Sequence, residues 1–315
     1  MERRFSRDPD FRNRYQQFML EYRELGHMSV ASPLEAATPG RVSYLPHHGV
    51  MRGEGSDAKI RVVVNGSSRV LSNTSLNAWL LAGPNLLPAL VLTRWRLHRY
   101  VLTTDIEKMY RQVLVHPDDR DLQRILWGGD TVGEYRLNTV TYGLACASYL
   151  AIRALHQLAG DEGERFPLGA RALQRDTYVD DVLSGASTLA EALRLQQQIS
   201  RLCSAGGFPL RKWSANHDPV LQGIPLEHRS HRSAEVALPS VEQSVLGLRW
   251  DPGRDCFSLT VRRASAGAAT KQSLLSGTAR LFDPLGWLAP VTVRAKLLIQ
   301  TDLVTASGLG CPPRR

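Results

Sequence analysis

Apolar residues recur at helical spacing near the start of the chain and then give way to short runs typical of strands. The face of the first predicted helix, which Gly26 would cap, is formed by Phe11, Tyr15, Phe18, Met19, Tyr22 and Leu25. Strands are predicted at 42–45, 60–64, 100–104, 111–115, 124–127 and 135–140. We expect the first two strands to form a hairpin and residues 144–158 to form a buried helix.

Two adjacent acids stand between two short apolar arms in the middle of the chain. Tyr178-Val179 precedes Asp180-Asp181 and Val182-Leu183 follows, which predicts a tight hairpin with the acids at its turn. Asp105 directly follows the strand predicted at 100–104. An antiparallel sheet can bring a strand end and a hairpin turn together, so we expect the three carboxylates to share a small volume.

The second half of the chain continues with a helix and further strands. Thr188 and Glu191 are spaced as a capping box before a helical run of apolar residues, which Gly206-Gly207 ends. The remaining predicted elements are strands at 245–250 and 257–261 and a helix at 293–303. We therefore predict an α+β fold, with an antiparallel sheet backed by helices.

The composition mainly excludes certain classes of protein. The chain has 315 residues, of which 43% are hydrophobic and 22% charged, so its length suits two domains or one large lobed domain. Long disorder, collagen-like repeats and a disulfide scaffold are excluded. Lysine and arginine number 39 against 30 aspartates and glutamates, a surplus that fits either a polyanionic partner or a solvated basic surface.

The cysteines and the N-terminus bear on the compartment. Four widely separated cysteines without a CxxC pair fit neither a zinc site nor a secreted disulfide framework, so we expect an intracellular, cytoplasmic location. The opening Met1-Glu2-Arg3-Arg4 lacks the apolar core of a signal peptide. The most apolar stretch, 78–92, is interrupted by glycine and prolines, so we expect a soluble protein.

The acidic residues favour metal-dependent chemistry. Clustered carboxylates repel one another, so folded proteins tolerate them mainly where cations or protons offset the charge. Oxygen ligands favour Mg²⁺ or Mn²⁺, and a pair of such ions can promote phosphoryl transfer. An Asp-Asp pair alone is weak evidence, since about one is expected by chance in a chain of this length. A second pair, Asp118-Asp119, follows a proline among charged residues and predicts a solvated loop or helix start.

Two motifs resemble those of reverse transcriptases. Tyr178-Val179-Asp180-Asp181 resembles their signature turn, and the sequence of residues 105–110 resembles their first catalytic strand. The flanking sequence resembles the Pao (BEL/Pao) group of LTR retrotransposons in blocks that keep the family's order from about residue 1 to residue 300. These blocks are 44–48, 59–64, 75–77, 81–84, 140–143, 208–213 and 282–286.

The resemblance implies a fold and an activity. The fold would be a right-hand polymerase, with an N-terminal helix and linker (1–40), fingers and palm (41–255) and a partial thumb or connection (256–315). The activity would be RNA-directed DNA polymerisation, with two Mg²⁺ or Mn²⁺ ions, dNTPs, and an RNA or DNA template with its primer. The implied catalytic and metal-binding residues are Asp105, Asp180 and Asp181, together with the backbone carbonyl of Ile106.

The resemblance also implies nucleotide and primer contacts. Arg61 would hold the triphosphate, assisted by Lys59 and Arg52, and the Tyr110 ring would exclude a ribose 2′-hydroxyl. The other implied contacts are Tyr142 and Gly143 in the nucleotide pocket, Lys212 beside the leaving pyrophosphate, and Leu246, Gly247 and Trp250 as a primer grip. Each has a plain structural alternative: a solvated hairpin face, a core tyrosine, a loop turn, basic surface or the core of a hairpin.

Some positions depart from the family pattern. Gly49 and the segment 147–149 stand where proline is usual, and Asn65 stands where aspartate is usual. No protease, ribonuclease H or integrase segment is recognisable, so we expect a fragment of a polyprotein that in an intact element works inside a virus-like particle. Three functions follow: a reverse transcriptase, a non-catalytic nucleic-acid-binding remnant, or an RNA polymerase of similar palm design. Tyr110 argues against the last, because a 2′-hydroxyl needs space there.

Overall fold

The computed structural model describes residues 2–33, 40–53, 58–69, 73–89, 91–128, 131–230, 243–246, 248–258, 275–278, 283 and 285–304. Their contacts divide the chain into two units. Unit 1 comprises Met1–Ala89, Ile106–Val182 and Gln198–Leu210, and unit 2 comprises Leu90–Asp105, Leu183–Gln197 and Arg211–Arg315. The fold is mixed, with α-helices and antiparallel sheets.

The helices vary from single turns to four or more turns. They are α1 (Glu2–Phe5), α2 (Pro9–Glu24), α3 (Leu76–Trp79), α4 (Val91–Trp95), α5 (Ala147–Asp161), α6 (Pro167–Arg175), α7 (Leu189–Ala205) and α8 (Ala289–Val304). Of the predicted capping box at the start of α7, the structure shows the Thr188 cap, and the Glu191 carboxylate binds the Thr188 hydroxyl. The Thr188 hydroxyl oxygen accepts the backbone N–H of Glu191 at 3.3 Å and donates to the Glu191 carboxylate at 3.0 Å.

The described strands form four sheets. They are β1 (Met28–Val30), β2 (His47–Arg52), β3 (Lys59–Val64), β4 (Tyr100–Ile106), β5 (Arg124–Gly128), β6 (Val132–Leu137), β7 (Thr177–Tyr178), β8 (Asp181–Ala186), β9 (Leu210–Ala215), β10 (Gln243–Val245), β11 (Leu248–Asp251) and β12 (Cys256–Ser258). The sheet orders are β1-β6-β5, β2-β3, β7-β8-β4-β9 and β10-β11-β12. The third sheet contains the strands that carry the predicted acids.

Helix α2 forms one wall of the core of unit 1. The Asp8 carboxylate caps the helix by accepting the N–H of Phe11 at 3.0 Å. The predicted apolar face is buried at Phe11, Tyr15, Met19 and Tyr22, and these side chains pack with residues of β1, β5 and β6. Leu25 lies beyond the last turn and is 53% exposed, so it does not belong to this face.

Two predicted strands are wrong, and a third, predicted at 245–250, is interrupted by a turn at Leu246 that separates β10 from β11. Residues 42–45 form no strand; Tyr44 makes an isolated bridge with Arg124, and the strand that pairs with β3 begins after Pro46, which has no N–H to donate. Residues 111–115 are not a strand either. Lys108 takes a left-handed backbone conformation (φ 51°), and the chain turns there into the 3₁₀ helix Met109–Gln112.

The core of unit 2 is centred on two tryptophans. The rings of Trp95 and Trp250 meet edge to face at 4.8 Å, and Trp250 is fully buried. The Trp250 indole N–H donates to the Asp255 carboxylate at 3.0 Å. That carboxylate also accepts from Arg96 at 2.6 Å and from the Asn216 side chain at 3.2 Å. One carboxylate therefore joins the β11–β12 turn to two other segments of unit 2.

Within the described residues, no helix combines the length and the apolar character that a membrane span requires.

We predict that Asp255→Ala lowers the free energy of unfolding of unit 2 by about 2–4 kcal/mol, because it leaves a buried indole N–H and a guanidinium without their acceptor. Urea unfolding followed by tryptophan fluorescence measures the loss. Asp161→Ala is the control, since within the described residues Asp161 accepts an exposed contact from Gln157 in its own helix and no other, and it should change stability by less than about 0.5 kcal/mol. Equal losses in the two variants would contradict the prediction.

The pH dependence of this contribution follows from the pKa of Asp255. Burial alone would raise that pKa, but hydrogen bonds from Arg96, Trp250 and Asn216 outweigh burial and lower it from 3.8. The stabilisation is therefore complete above pH 3.8 and is lost as the pH falls through the lowered pKa.

Candidate active site

The predicted hairpin forms, but the prediction placed both acids at its turn, whereas Asp180 lies in the turn and Asp181 is the first residue of β8. Tyr178 pairs with Asp181, so that Val179 and Asp180 form a two-residue turn between β7 and β8. Val179 has φ 57°, a left-handed conformation that is uncommon for a β-branched residue. Such backbone conformations cost about 1–3 kcal/mol and concentrate at functional sites.

Backbone hydrogen bonds of unit 1 fix this turn beside the end of β4. The N–H of Ile106 donates to the carbonyl of Asp180 at 2.8 Å, and the N–H of Glu107 donates to the carbonyl of Pro209 at 2.8 Å. The Ile106 side chain is fully buried, which anchors this segment in the core. Asp105 precedes Ile106 in the chain, so the peptide group that joins these two residues carries the N–H that binds the Asp180 carbonyl.

Asp105 is half-buried and pairs with a lysine of unit 2. The Lys212 ammonium donates to Oδ2 of Asp105 at 2.9 Å, with the side chains 69% and 19% exposed, respectively. Lys212 has φ 56°, a second uncommon backbone conformation beside an acid. An exposed ion pair of this kind contributes little to stability. Its main consequence is that the charge of Asp105 is already balanced by a cation of the protein.

The donor chemistry of the predicted metal ligands fits Mg²⁺, because Asp105, Asp180, Asp181 and the Ile106 carbonyl offer oxygen atoms alone. The described part of the chain contains no group of three or more His, Cys, Asp or Glu side chains arranged to hold a metal ion. A site with one or two carboxylates and substrate phosphates would still suit Mg²⁺. The metal-binding roles of these residues stay predictions.

Three predicted nucleotide contacts come together within unit 1. The Arg61 guanidinium lies 4.8 Å from the centre of the Tyr142 ring, and the Tyr110 ring lies 4.3 Å from the same ring. Burial raises the pKa of the Tyr142 hydroxyl, the negative charge of Asp180 raises it further, and the charge of Arg61 opposes both. The pKa of Tyr142 therefore depends on the charges of the predicted phosphate-binding residue Arg61 and of the predicted catalytic acid Asp180.

The basic residues of the β2–β3 hairpin lie on its exposed surface. Arg61 sits opposite Val50, and Lys59 sits opposite Arg52 near the turn of the hairpin. The side chains of Arg52, Lys59 and Arg61 are all exposed. The hairpin thus presents three cations to solvent, with the Arg61 guanidinium placed over Tyr142.

Gly143 is held by a side chain that sequence reasoning did not single out. Its carbonyl accepts from the Asn77 amide at 2.8 Å, and the Asn77 oxygen accepts the N–H of Ala145 at 2.8 Å. Gly143 has φ 93°, and a Cβ there would lie 2.1 Å from the carbonyl oxygen of Val64. Residues 75–77 resemble a family block, but no local pattern reveals this role for Asn77, because Gly143 and Ala145 lie more than 60 residues away in the chain.

The predicted primer-grip residues fall into two environments. Trp250 is fully buried in the core of unit 2, so any effect on a primer would be exerted through the strand it anchors. Leu246 lies in the turn between β10 and β11 with φ 44°. Gly247 lies outside the described residues.

Two solved structures share the fold of this chain. A foamy viral protease-reverse transcriptase in complex with dsDNA aligns with a TM-score of 0.56 and 15% identity, over 95% of this chain and 52% of that one. A second structure, described as the foamy viral protease-reverse transcriptase dRH in complex with ds DNA, aligns with a TM-score of 0.56 and 14% identity, over 94% and 44% of the two chains. The chain thus spans about half the length of these proteins.

A family match adds a second finding. Residues 270–307 match the family described as the Pao retrotransposon-like RNaseH-like domain. The block at 282–286, which resembles the Pao group, lies inside this segment. The expectation that no ribonuclease H segment is recognisable is therefore wrong for 270–307, where the only acids, Asp283 and Asp302, form no conspicuous motif. No curated protein matches the chain in sequence.

We predict that Gly143→Ala destabilises unit 1 and that Gly207→Ala does so much less. Both glycines have positive φ, but nothing lies within 4 Å of a Cβ at Gly207, whereas a Cβ at Gly143 meets the Val64 carbonyl. Gly207→Ala therefore loses only the free energy of placing alanine at a positive φ. Gly143→Ala should lower the free energy of unfolding by about 2 kcal/mol more, because its Cβ overpacks against the Val64 carbonyl. Chemical unfolding of the two variants measures the difference, and equal losses would show that the loop shifts freely.

Proposed function

We propose that this chain is the polymerase portion of a Pao-type retrotransposon reverse transcriptase, which adds deoxynucleotides to a primer on an RNA or DNA template. The observation that carries the proposal is that Arg61 and Tyr110 both contact the Tyr142 ring, whose hydroxyl pKa is raised by the charge of Asp180. The fold shared with the foamy viral proteins and the Pao-like segment at 270–307 support it.

Arg61 is the proposed anchor of the incoming triphosphate. Its planar guanidinium offers a fork of donors that matches phosphate oxygens. The Tyr142 ring beneath it restricts its position through a cation–π contact and leaves its N–H groups free to bind a ligand. Lys59 and Arg52, on the same exposed hairpin, would add positive charge near the outer phosphates.

The proposed reaction is attack of the primer 3′-hydroxyl oxygen on the α-phosphorus of the bound dNTP. The proton of the 3′-hydroxyl passes to water, the bond between the α-phosphorus and the oxygen that bridges it to the β-phosphorus breaks, and pyrophosphate leaves. Bound Mg²⁺, held by Asp105, Asp180 and Asp181, would supply charge stabilisation on the phosphates and acidify the 3′-hydroxyl. Lys212 would protonate the departing pyrophosphate and would have to leave Asp105 to do so.

Template and primer would bind mainly through their phosphates. The net charge of +9 favours a polyanionic partner, and the two foamy viral proteins of similar fold are in complex with dsDNA. Binding of this kind weakens steeply with salt and depends little on sequence.

A second function has one observation in its favour. The Lys212–Asp105 ion pair already balances one of the predicted catalytic acids, as expected of a remnant that binds nucleic acid and does not extend a primer. Binding without extension would favour this alternative.

We predict that Asp180→Asn reduces Mg²⁺-dependent primer extension by about 100-fold or more, because it removes charge at the reacting phosphates. Incorporation of radiolabelled dNTPs on a primed RNA template measures the effect. The matched control is Asp118→Asn, which alters the other Asp-Asp pair at an exposed 3₁₀ helix and should extend normally. Equal activity of wild type and Asp180→Asn would exclude the proposed role.

We predict further that Tyr110→Ala lowers the preference for dNTPs over rNTPs by about tenfold or more, because it opens space for a 2′-hydroxyl. The ratio of kcat/KM for dATP and ATP measures this preference. Tyr100→Ala is the control, since that ring packs against His217 in unit 2 and should leave the ratio unchanged. A ratio unaffected by Tyr110→Ala would assign Tyr110 to the core alone.

A further inference from the structure

Tyr110 is held at both ends of its side chain. Its backbone belongs to the 3₁₀ helix Met109–Gln112, and its ring packs on Tyr142 with the planes inclined at 46°. At the far end of the ring, the Tyr110 hydroxyl shares a hydrogen bond of 3.0 Å with the hydroxyl of Ser148. The side chain is only 6% exposed, so this bond fixes the depth and tilt of a largely buried ring.

Ser148 contributes neither a helix cap nor a buried side chain to its own helix. It lies in the first turn of α5, whose N-cap position is Cys146 and has no side-chain capping bond. Ser148 is itself exposed, so a change there removes little packing. The segment 147–149 is also one of the places where the sequence departs from the family pattern. Because of this departure, a serine hydroxyl lies beside Tyr110.

We propose that Ser148 is a positioning residue that holds the Tyr110 ring where it excludes a 2′-hydroxyl from the nucleotide pocket. The inference rests on the proposed function and extends it to the selection of deoxyribose. A ring free to tilt away from Tyr142 would admit an additional hydroxyl, and the Tyr110–Ser148 bond opposes that tilt. Ser148 touches no substrate in this account and acts through Tyr110 alone.

The test compares the full chain with Ser148→Ala, Tyr110→Phe, the double variant and Ser148→Thr. Primer extension gives the ratio of kcat/KM for dATP and ATP. We expect Ser148→Ala and Tyr110→Phe each to lower this ratio by about 3- to 10-fold, the value of one hydrogen bond. The double variant should lose no more than either single variant, since both remove the same bond, and Ser148→Thr should retain the ratio.

Two controls separate positioning from folding. Ser204→Ala removes another exposed serine hydroxyl, on α7, and should change neither the ratio nor the melting temperature. The proposal is overturned if Ser148→Ala leaves the ratio unchanged, if the losses of the two single variants multiply in the double variant, or if Ser148→Ala melts early and loses activity equally with dATP and ATP.

Calorimetric titration of the chain with dATP and with ATP gives the same comparison without primer extension. If the wild type prefers dATP and Ser148→Ala loses that preference, the inference holds even where no extension is detected, and only the proposed polymerase activity fails. The inference is overturned if the wild type binds dATP and ATP equally and shows no preference between them in primer extension.

Discussion

The candidate site depends on one backbone hydrogen bond, from the N–H of Ile106 to the carbonyl of Asp180. It attaches a two-residue turn, strained at Val179, to the end of a strand whose core residues are fully buried. Strain of this kind persists only where the surrounding structure over-determines it. The bond therefore fixes the backbone position of Asp180, from which its carboxylate projects. It also joins that position to the chain segment that carries Asp105.

A positive charge stands close to the predicted catalytic acid Asp105 and to the Tyr142 ring. Lys212 forms an ion pair with Asp105. The charges of Arg61 and Asp180 shift the pKa of the Tyr142 hydroxyl in opposite directions. Exposed pairs of this kind are weak, so a ligand that brings its own charges can replace them at little cost. Under the proposed function, the phosphates of a nucleotide would bind Arg61 and its metal ions would bind the acids, replacing these contacts while the nucleotide is bound.

Much of the fold could be predicted where the signal is local. The spacing of Phe11, Tyr15 and Met19 predicted a packed helix, and the pair Thr188 and Glu191 predicted a cap; both are confirmed. Prediction failed at 42–45 and 111–115, where apolar composition favoured strands but Pro46 and the left-handed Lys108 redirect the backbone. Composition cannot reveal such a change of direction, because it depends on single backbone angles.

The sequence by itself determined that a hairpin carries the two adjacent acids, that α7 begins after Thr188, and which family the blocks resemble, since each of these signals lies in neighbouring positions. The tertiary structure alone decided that Asn77 supports Gly143, that Ser148 meets Tyr110, and that Trp250 lies in a core. These contacts join distant parts of the chain, and no periodicity records them. They form only when packing brings the partners within hydrogen-bonding or van der Waals distance.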